Sequence, residues 1–292
     1  MSSPIGLIRN RAATRATRGS PAGAGEILRM PEDFAALEAA LAEFREAGVA
    51  AIVIEGGDGT VREVVSRAFR IWGGSPPPFS LRPTGNTNLI ARSAGCAPRG
   101  GAPLAPERLR RSVLPVLKAE REGAEAMRGF IVGAGAYEAA TRFAREEIGA
   151  RHGLQVLLAV LRLLRSRALR GPWPIGFAAS TTAPESAPRM LVAATSLPGA
   201  LLFGLSPFWG SGSGRLRFLD IAAEPPRLAL AAPFVALGRP RRWMSEAYRS
   251  GRSEVATLRL ETPFVMDGEP FAPGADGLVR LTASETATFL SV

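Results

Sequence analysis

The most continuous apolar run in the first half of the chain, Val49-Ala50-Ala51-Ile52-Val53-Ile54, lacks the alternation of a half-exposed strand. Such a run fits a parallel strand covered on both faces. Val61 to Phe69 follows with helical spacing, and Glu55-Gly56-Gly57-Asp58-Gly59-Thr60 lies between as a glycine-dense turn. The same alternation is readable around it. Ile5 to Ile8 reads as a short strand, and 9–29 as a basic loop carrying Arg11, Arg15 and Arg18. Pro31 to Ala47 reads as a helix with Phe34, Leu37, Leu41 and Phe44 on one face, closed by Gly48. Thr60-Val61-Arg62-Glu63 fits a capping box, which sets the start of the second helix. Phe79 to Arg82 is a further strand, leading into the polar turn Pro83 to Asn88 and the apolar Leu89-Ile90-Ala91. Strand, helix, strand, helix, strand predicts a doubly wound α/β domain with a parallel sheet, whose ligands sit beyond the carboxyl ends of the strands.

The pattern changes after a short predicted helix at 107–113. Short strand-like runs follow at 116–119, 129–132, 175–178, 190–194, 216–219, 256–260 and 278–281, separated by turn residues. They predict a β-rich antiparallel sandwich. The boundary falls within 114–128, which gives an α/β domain over 1–120 and a β-rich domain over 121–292. Two helices interrupt the strands, 137–147 and 153–169. The second carries Leu154, Leu157, Leu158, Leu161 and Leu164 on one face and arginines near its end. A core-facing stripe is the commoner use of that pattern than a membrane surface.

Composition narrows the chemistry. Lys+Arg 36 against Asp+Glu 26 gives a net charge of +10, which suits an anionic partner. No compact basic motif with interleaved aromatics points to nucleic acid. One cysteine, Cys96, excludes an intrachain disulfide and a cysteine zinc site, and one histidine, His152, argues against a histidine metal site or a Ser-His-Asp triad. Catalysis then rests on carboxylates, backbone donors and cations. No apolar run is long enough for a membrane span and the N-terminus lacks a signal-peptide layout, so the expected location is the cytoplasm.

Four loops carry candidate phosphate chemistry. In the first glycine turn, glycines allow close approach of backbone to phosphate, and the helix start supplies N–H groups and a positive dipole end. It is not a P-loop, since no G-x-x-x-x-G-K-[ST] occurs. Gly56-Gly57-Asp58-Gly59-Thr60, with Glu63 after it, resembles the signature of the diacylglycerol kinase catalytic-domain family, whose superfamily includes sphingosine kinases and, more distantly, NAD kinases. Three further segments resemble that family in order. Ile8-Arg9-Asn10 is similar to its opening strand. Pro83-Thr84-Gly85-Asn86-Thr87-Asn88-Leu89-Ile90-Ala91 is similar to its second nucleotide loop. Val265-Met266-Asp267-Gly268-Glu269 is similar to its late Asp-Gly-Glu motif.

The resemblance implies an NAD kinase-like first domain that holds ATP and Mg²⁺, and a second domain that takes a lipid acceptor. The implied activity is ATP-dependent phosphorylation of a hydroxyl on a diacylglycerol-like or sphingoid lipid. It implies Asp58 as metal ligand or proton acceptor, Gly56, Gly57, Gly59 and Thr60 around phosphate, and Asn10, Gly85, Asn86 and Asn88 lining the nucleotide pocket. Glu269, with Asp267 beside it, is the second-domain carboxylate; whether Asp58 or Glu269 is the base stays open. The lipid substrate places the protein peripherally at the inner membrane surface, with Leu201 to Trp209 as the segment offered for the lipid groove. The alternatives are an NAD kinase-like enzyme and a lipid- or nucleotide-binding protein with impaired catalysis. Arg11 stands where the family has proline, Asn86 where it has threonine or serine, and Ser211-Gly212-Ser213-Gly214 where relatives commonly carry Asp-Asp-Gly.

Overall fold

The apolar run at the start of the chain becomes the centre of a parallel sheet in the computed structural model, which describes residues 3–10, 25–85, 87–96, 110–148, 171–201, 204–244 and 246–291. Strand β1 (Ile5–Arg9) pairs in parallel with β2 (Glu26–Arg29) and, on its other side, with β3 (Ala51–Gly56). All six positions of β3 are buried, as an inner strand covered on both faces requires. β2 was expected to be loop. Its apolar content is two residues, Ile27 and Leu28, and the backbone ladder to β1 supplies what its pattern does not.

Helix α1 (Phe34–Glu46) buries Leu37, Ala40, Leu41 and Phe44. It begins later than Pro31, because the Asp33 carboxylate accepts the Ala36 N–H at 2.7 Å and caps the first turn. Phe34 stays 60% exposed, with the Arg67 guanidinium 4.4 Å from its ring centroid. Helix α2 (Asp58–Ile71) begins two residues before the expected capping box. Its N-cap is Gly57 in extended conformation, and Val61 N–H closes the first turn onto Gly57 O at 3.0 Å. Glu63 is therefore not a capping acceptor; it pairs with Arg62 and Arg67.

Strand β4 (Phe79–Pro83) lies parallel to β3, and the one-turn helix α3 (Leu89–Ser93) follows it. Residues 110–113, expected to end a helix, belong instead to strand β5 (Arg110–Pro115), held by its place at the sheet edge. That segment buries Leu114 alone among its large apolar side chains and leaves Val113 59% exposed, so no helical stripe was available to it.

The next elements are β6 (Leu117–Arg121), β7 (Ala124–Gly129), β8 (Ile131–Gly135), helix α4 (Ala136–Ile148), β9 (Trp173–Ala178), β10 (Ser186–Thr195) and β11 (Leu216–Ala222). Helix α5 (Leu228–Ala236) precedes β12 (Tyr248–Ser253), β13 (Val255–Leu260), β14 (Phe264–Met266), β15 (Glu269–Phe271) and β16 (Leu278–Thr282). They form an 11-stranded sheet in the order β15-β14-β8-β10-β9-β13-β16-β6-β7, with β11 joining β10 to β12. Neighbouring strands run antiparallel, for example β10 with β8, β9 and β11. Two hydrophobic clusters serve it. One gathers Val132, Ile175, Leu258, Phe264 and Leu281, and the other Met190, Phe208, Leu219, Met244 and Tyr248.

The last strand, β17 (Thr286–Ser291), pairs in parallel with β4, completing a six-stranded sheet in the order β2-β1-β3-β4-β17-β5. Chain contacts therefore divide the protein into one unit of Met1–Leu114 with Glu285–Val292 and another of Pro115–Ser284. The fold class is the expected one: a mostly parallel α/β unit and an antiparallel β-rich unit. The sequence division at 120/121 differs from these bounds chiefly because the final strand returns to the first sheet. The helix expected over 153–169, and His152, lie outside the described residues.

Candidate nucleotide and acceptor sites

Three loops of the first unit meet at the carboxyl ends of β1, β3 and β4. Asn10 follows β1, its N–H donating to Glu55 O at 3.0 Å and its side-chain Nδ2 donating to Thr60 Oγ1 at 2.8 Å. Beneath it, Arg9 and Glu55 form a buried pair at 3.1 Å across adjacent strands. The first loop thus sits on a fixed floor, and Thr60 is held in the first turn of α2.

The two glycine loops touch backbone to backbone. A Cβ on Gly85 would lie 2.8 Å from Gly57 Cα, and one on Gly56 would lie 2.6 Å from Thr60 Cβ. Thr84 N–H donates to Gly56 O at 3.1 Å, extending the β3–β4 ladder into the loops. Asn88, in left-handed conformation (φ 47°), closes the second loop on itself. Its Oδ1 accepts from Gly85 N–H at 3.1 Å and its Nδ2 donates to Gly85 O at 2.7 Å.

Asp58 joins the loops. Its Oδ2 accepts from the Thr87 hydroxyl at 2.6 Å and the Leu89 N–H at 3.0 Å, and its Oδ1 accepts from the Ile90 N–H at 3.0 Å. A carboxylate offers about four acceptor positions, so three of them are committed to the second loop and the start of α3. Asp58 therefore caps α3 rather than its own helix. The first N–H groups of α2 have no intrahelical acceptor and face the glycine turn's end of the helix. Thr84 Oγ1 is buried without a hydrogen-bond partner among the described residues, a signal the sequence reading did not use. Thr87, whose hydroxyl donates to Asp58, likewise carries no sequence signal of its own. Asn86 lies outside the described residues.

These features fit an anionic phosphate group: helix-start N–H donors, an orphan hydroxyl and a backbone cleared of side chains. A metal is a different matter. No group of three His, Cys, Asp or Glu residues is close enough to hold an ion among the described residues. Asp58 is one carboxylate with one free acceptor position, which suits Mg²⁺ bound chiefly through phosphates and water.

In the second unit Asp267 and Gly268 form the two-residue turn between β14 and β15, with φ 47° and 87°. This is the primed turn that Asp-Gly favours in hairpins. The Asp267 carboxylate does more than turn the chain. It accepts from Phe130 N–H at 2.9 Å and Ile131 N–H at 2.9 Å, while its own N–H donates to Ile131 O at 2.9 Å. A Cβ on Gly129 would lie 2.2 Å from Asp267 Oδ2, so this approach requires glycine there. Tyr137, packed over Gly133, has its phenol pushed well above the ordinary range by burial and by the Asp267 charge. Glu269 is half-buried at the start of β15.

A cavity of about 750 Å³ opens in the same unit, lined by aromatic Phe177, Trp209, Phe218 and Tyr248 and by Arg241, Arg242 and Arg249. Of the segment offered for a lipid groove, Trp209 lines this cavity, Phe208 is core and Leu201 packs against the core. Residues 202–203 lie outside the described residues. Asp220 does not stand in for the missing Asp-Asp-Gly acids. It is 2% exposed and bound to Arg189 Nε at 2.8 Å and to Arg249.

The fold class is an α/β unit with paired glycine loops joined to an antiparallel β-rich unit. Residues 22–116 match the diacylglycerol kinase catalytic domain, which bears out the resemblance carried by the motifs. No curated protein matches the chain. A solved structure, a "putative diacylglycerol kinase" from Bacillus anthracis str. Sterne, is 16% identical with a TM-score of 0.68, covering 99% of this chain and 97% of that chain. Another from the same organism, described as a diacylglycerol kinase, is 14% identical with a TM-score of 0.62 over 99% of this chain and 97% of that chain. At these identities the likeness is one of fold.

Proposed function

We propose that the protein is a lipid kinase that transfers the γ-phosphate of ATP to a hydroxyl of a diacylglycerol-like or sphingoid lipid. The observation that carries this reading is the Asp58 clamp. It holds the Gly56 to Thr60 turn against the Pro83 to Leu89 loop, so that the helix-start N–H groups offered to phosphate lie beside the second loop. The catalytic-domain match spans both loops.

In this reading Gly56, Gly57, Gly59 and Thr60 receive the phosphates, and Asn10, Gly85 and Asn88 shape the nucleotide pocket, with Asn86 in the same loop. Asp58 positions the loops and offers its remaining acceptor position to Mg²⁺. That ion supplies neutralisation of phosphate charge when bound. Glu269 accepts the proton of the attacking hydroxyl as the new oxygen–phosphorus bond forms and the bond to the β-phosphate oxygen breaks. Asp267 fixes the turn that carries Glu269. The aromatic cavity of the second unit is the candidate acceptor groove.

The test is labelled ATP incubated with the full chain and vesicles containing dioleoylglycerol or sphingosine, beside a lipid-free arm containing NAD. Labelled lipid phosphate supports the reading. Labelled NADP transfers the assignment to an NAD kinase-like enzyme. ATP binding without product on a total lipid extract makes the chain a binding protein.

A further inference from the structure

Helix α5 is built wholly of Leu, Ala, Pro, Phe and Val, yet it is only partly covered. Its inner side packs Leu228, Ala231, Phe234 and Val235 on the cluster around Tyr248. Its outer side presents Leu230, Pro233 and, at the C-cap, Leu237, spaced by three and four residues along one face. Leu230 and Leu237 are each 54% exposed, two of the four large exposed apolar residues among the described residues. A face of this kind in water signals a partner.

The chemistry of the partner is written around the helix. Arg227 is its N-cap, and Arg239, Arg241 and Arg242 follow its end, all four exposed. No Asp or Glu occurs from 225 to 244. None of the four arginines makes an ion pair among the described residues. Two are held in place by stacking, Arg227 at 5.7 Å from the Trp243 ring centroid and Arg241 at 4.4 Å from that of Phe234. Unpaired cations flanking a bare apolar face match an anionic bilayer, whose headgroups take the guanidinium charges while the leucines enter the acyl boundary. A nine-residue helix is about 13.5 Å long, far short of a span, so it lies in the interface plane.

We propose that the outer face of α5, with Arg227, Arg239, Arg241 and Arg242, docks the protein on anionic membrane surfaces. This goes beyond the kinase reading and does not require it, since docking is measured without ATP. Pro240, Arg241 and Arg242 also line the aromatic cavity, so its wall continues from the docking helix.

The experiment is sedimentation of the full chain with phosphatidylcholine vesicles and with vesicles of about one-third phosphatidylglycerol, at low and high salt. The expected result is binding to the anionic vesicles, weakened by salt. Leu230→Asp/Leu237→Asp loses at least about tenfold in affinity and Arg239→Glu about fivefold, with melting temperatures near that of the parent. No binding to anionic vesicles overturns the proposal, as does unchanged binding of the folded double-leucine variant. So does a concentration-dependent dimer in sedimentation velocity that the leucine variant abolishes, because a second copy would then cover the face.

Discussion

Replacing Asp58 by asparagine separates a clamp from a catalytic acid. The carboxylate accepts hydrogen bonds from Thr87 Oγ1, Leu89 N–H and Ile90 N–H at 2.6, 3.0 and 3.0 Å. Asparagine keeps one acceptor oxygen and presents a donor in place of the other. The best placement keeps the oxygen on Ile90 N–H and turns the amide nitrogen toward the Thr87 hydroxyl, which can rotate to accept. Leu89 N–H then faces a donor. A hydrogen bond to a charged acceptor contributes about 1.5–3 kcal/mol, and the exposed Thr87 contact lies at the low end. The local cost is therefore about 2 kcal/mol, which corresponds to roughly 30-fold faster opening of the second loop and α3. Hydrogen exchange of the peptide covering 84–93 reads this directly, and kcat/KM with ATP should fall with it. A variant that is inactive yet exchanges at the parent rate would refute the clamp and return Asp58 to the chemistry alone.

Gly85→Ala places a methyl 2.8 Å from Gly57 Cα and 3.1 Å from Asn88 Oδ1, so the two loops must part; isothermal titration should show ATP binding at least about tenfold weaker, with about 1–3 kcal/mol of stability lost. Asp267→Asn keeps Oδ1 for Ile131 N–H at 2.9 Å and for the longer Phe130 contact at 3.2 Å but loses the 2.9 Å bond from Phe130 N–H to Oδ2, and should cost about 1 kcal/mol in denaturant unfolding. Burial pushes the Tyr248 phenol up to about 12 from 10.0, and its hydroxyl donates to Pro226 O at 2.8 Å. The folded state holds the proton longer than the unfolded one, so this contribution is intact below pH 10 and is lost as pH rises toward 12. Melting temperature should fall more steeply over that interval for the parent than for Tyr248→Phe, and parallel slopes would contradict the assignment.

Much of the first unit was legible because its signals are local. The β3 run, the glycine turn and the α1 stripe each need only their own residues, and the structure places them where the pattern does. What the sequence hid depends on distant partners. β2 and β5 are edge strands with little apolar pattern, recruited by ladders to β1 and at the sheet's far edge. β17 lies beyond the last strand read from the sequence, at 278–281, and only its pairing with β4 reveals that it closes the first sheet. The capping box at Thr60 was a correct local rule overruled by Gly57, whose extended backbone and close contact with Gly85 start the helix earlier. At the site, glycines and acids were visible, but not their direction. The Asp58 carboxylate turning to α3, and that of Asp267 to the β7–β8 junction, are long-range contacts with no sequence spacing of their own.

The glycine-serine segment 210–214 is held within the second unit by its backbone. Gly210, Gly212 and Gly214 have φ of 89°, 145° and 92°, and a Cβ on each would lie 2.3 to 2.4 Å from a carbonyl oxygen of β12. The alternation therefore straps the segment against that strand, and the intervening Ser211 and Ser213 are exposed. The segment is a packing element whose side chains are hydroxyls rather than carboxylates. Asp220 cannot compensate, because both its oxygens are committed to Arg189 and Arg249 in the interior. Of the three acids named from the motifs, Asp267 spends its carboxylate on backbone amides and Asp58 spends most of its own on α3. In the kinase reading, Asp58 and Asp267 therefore act first as positioning groups, each holding a loop or turn through backbone N–H groups.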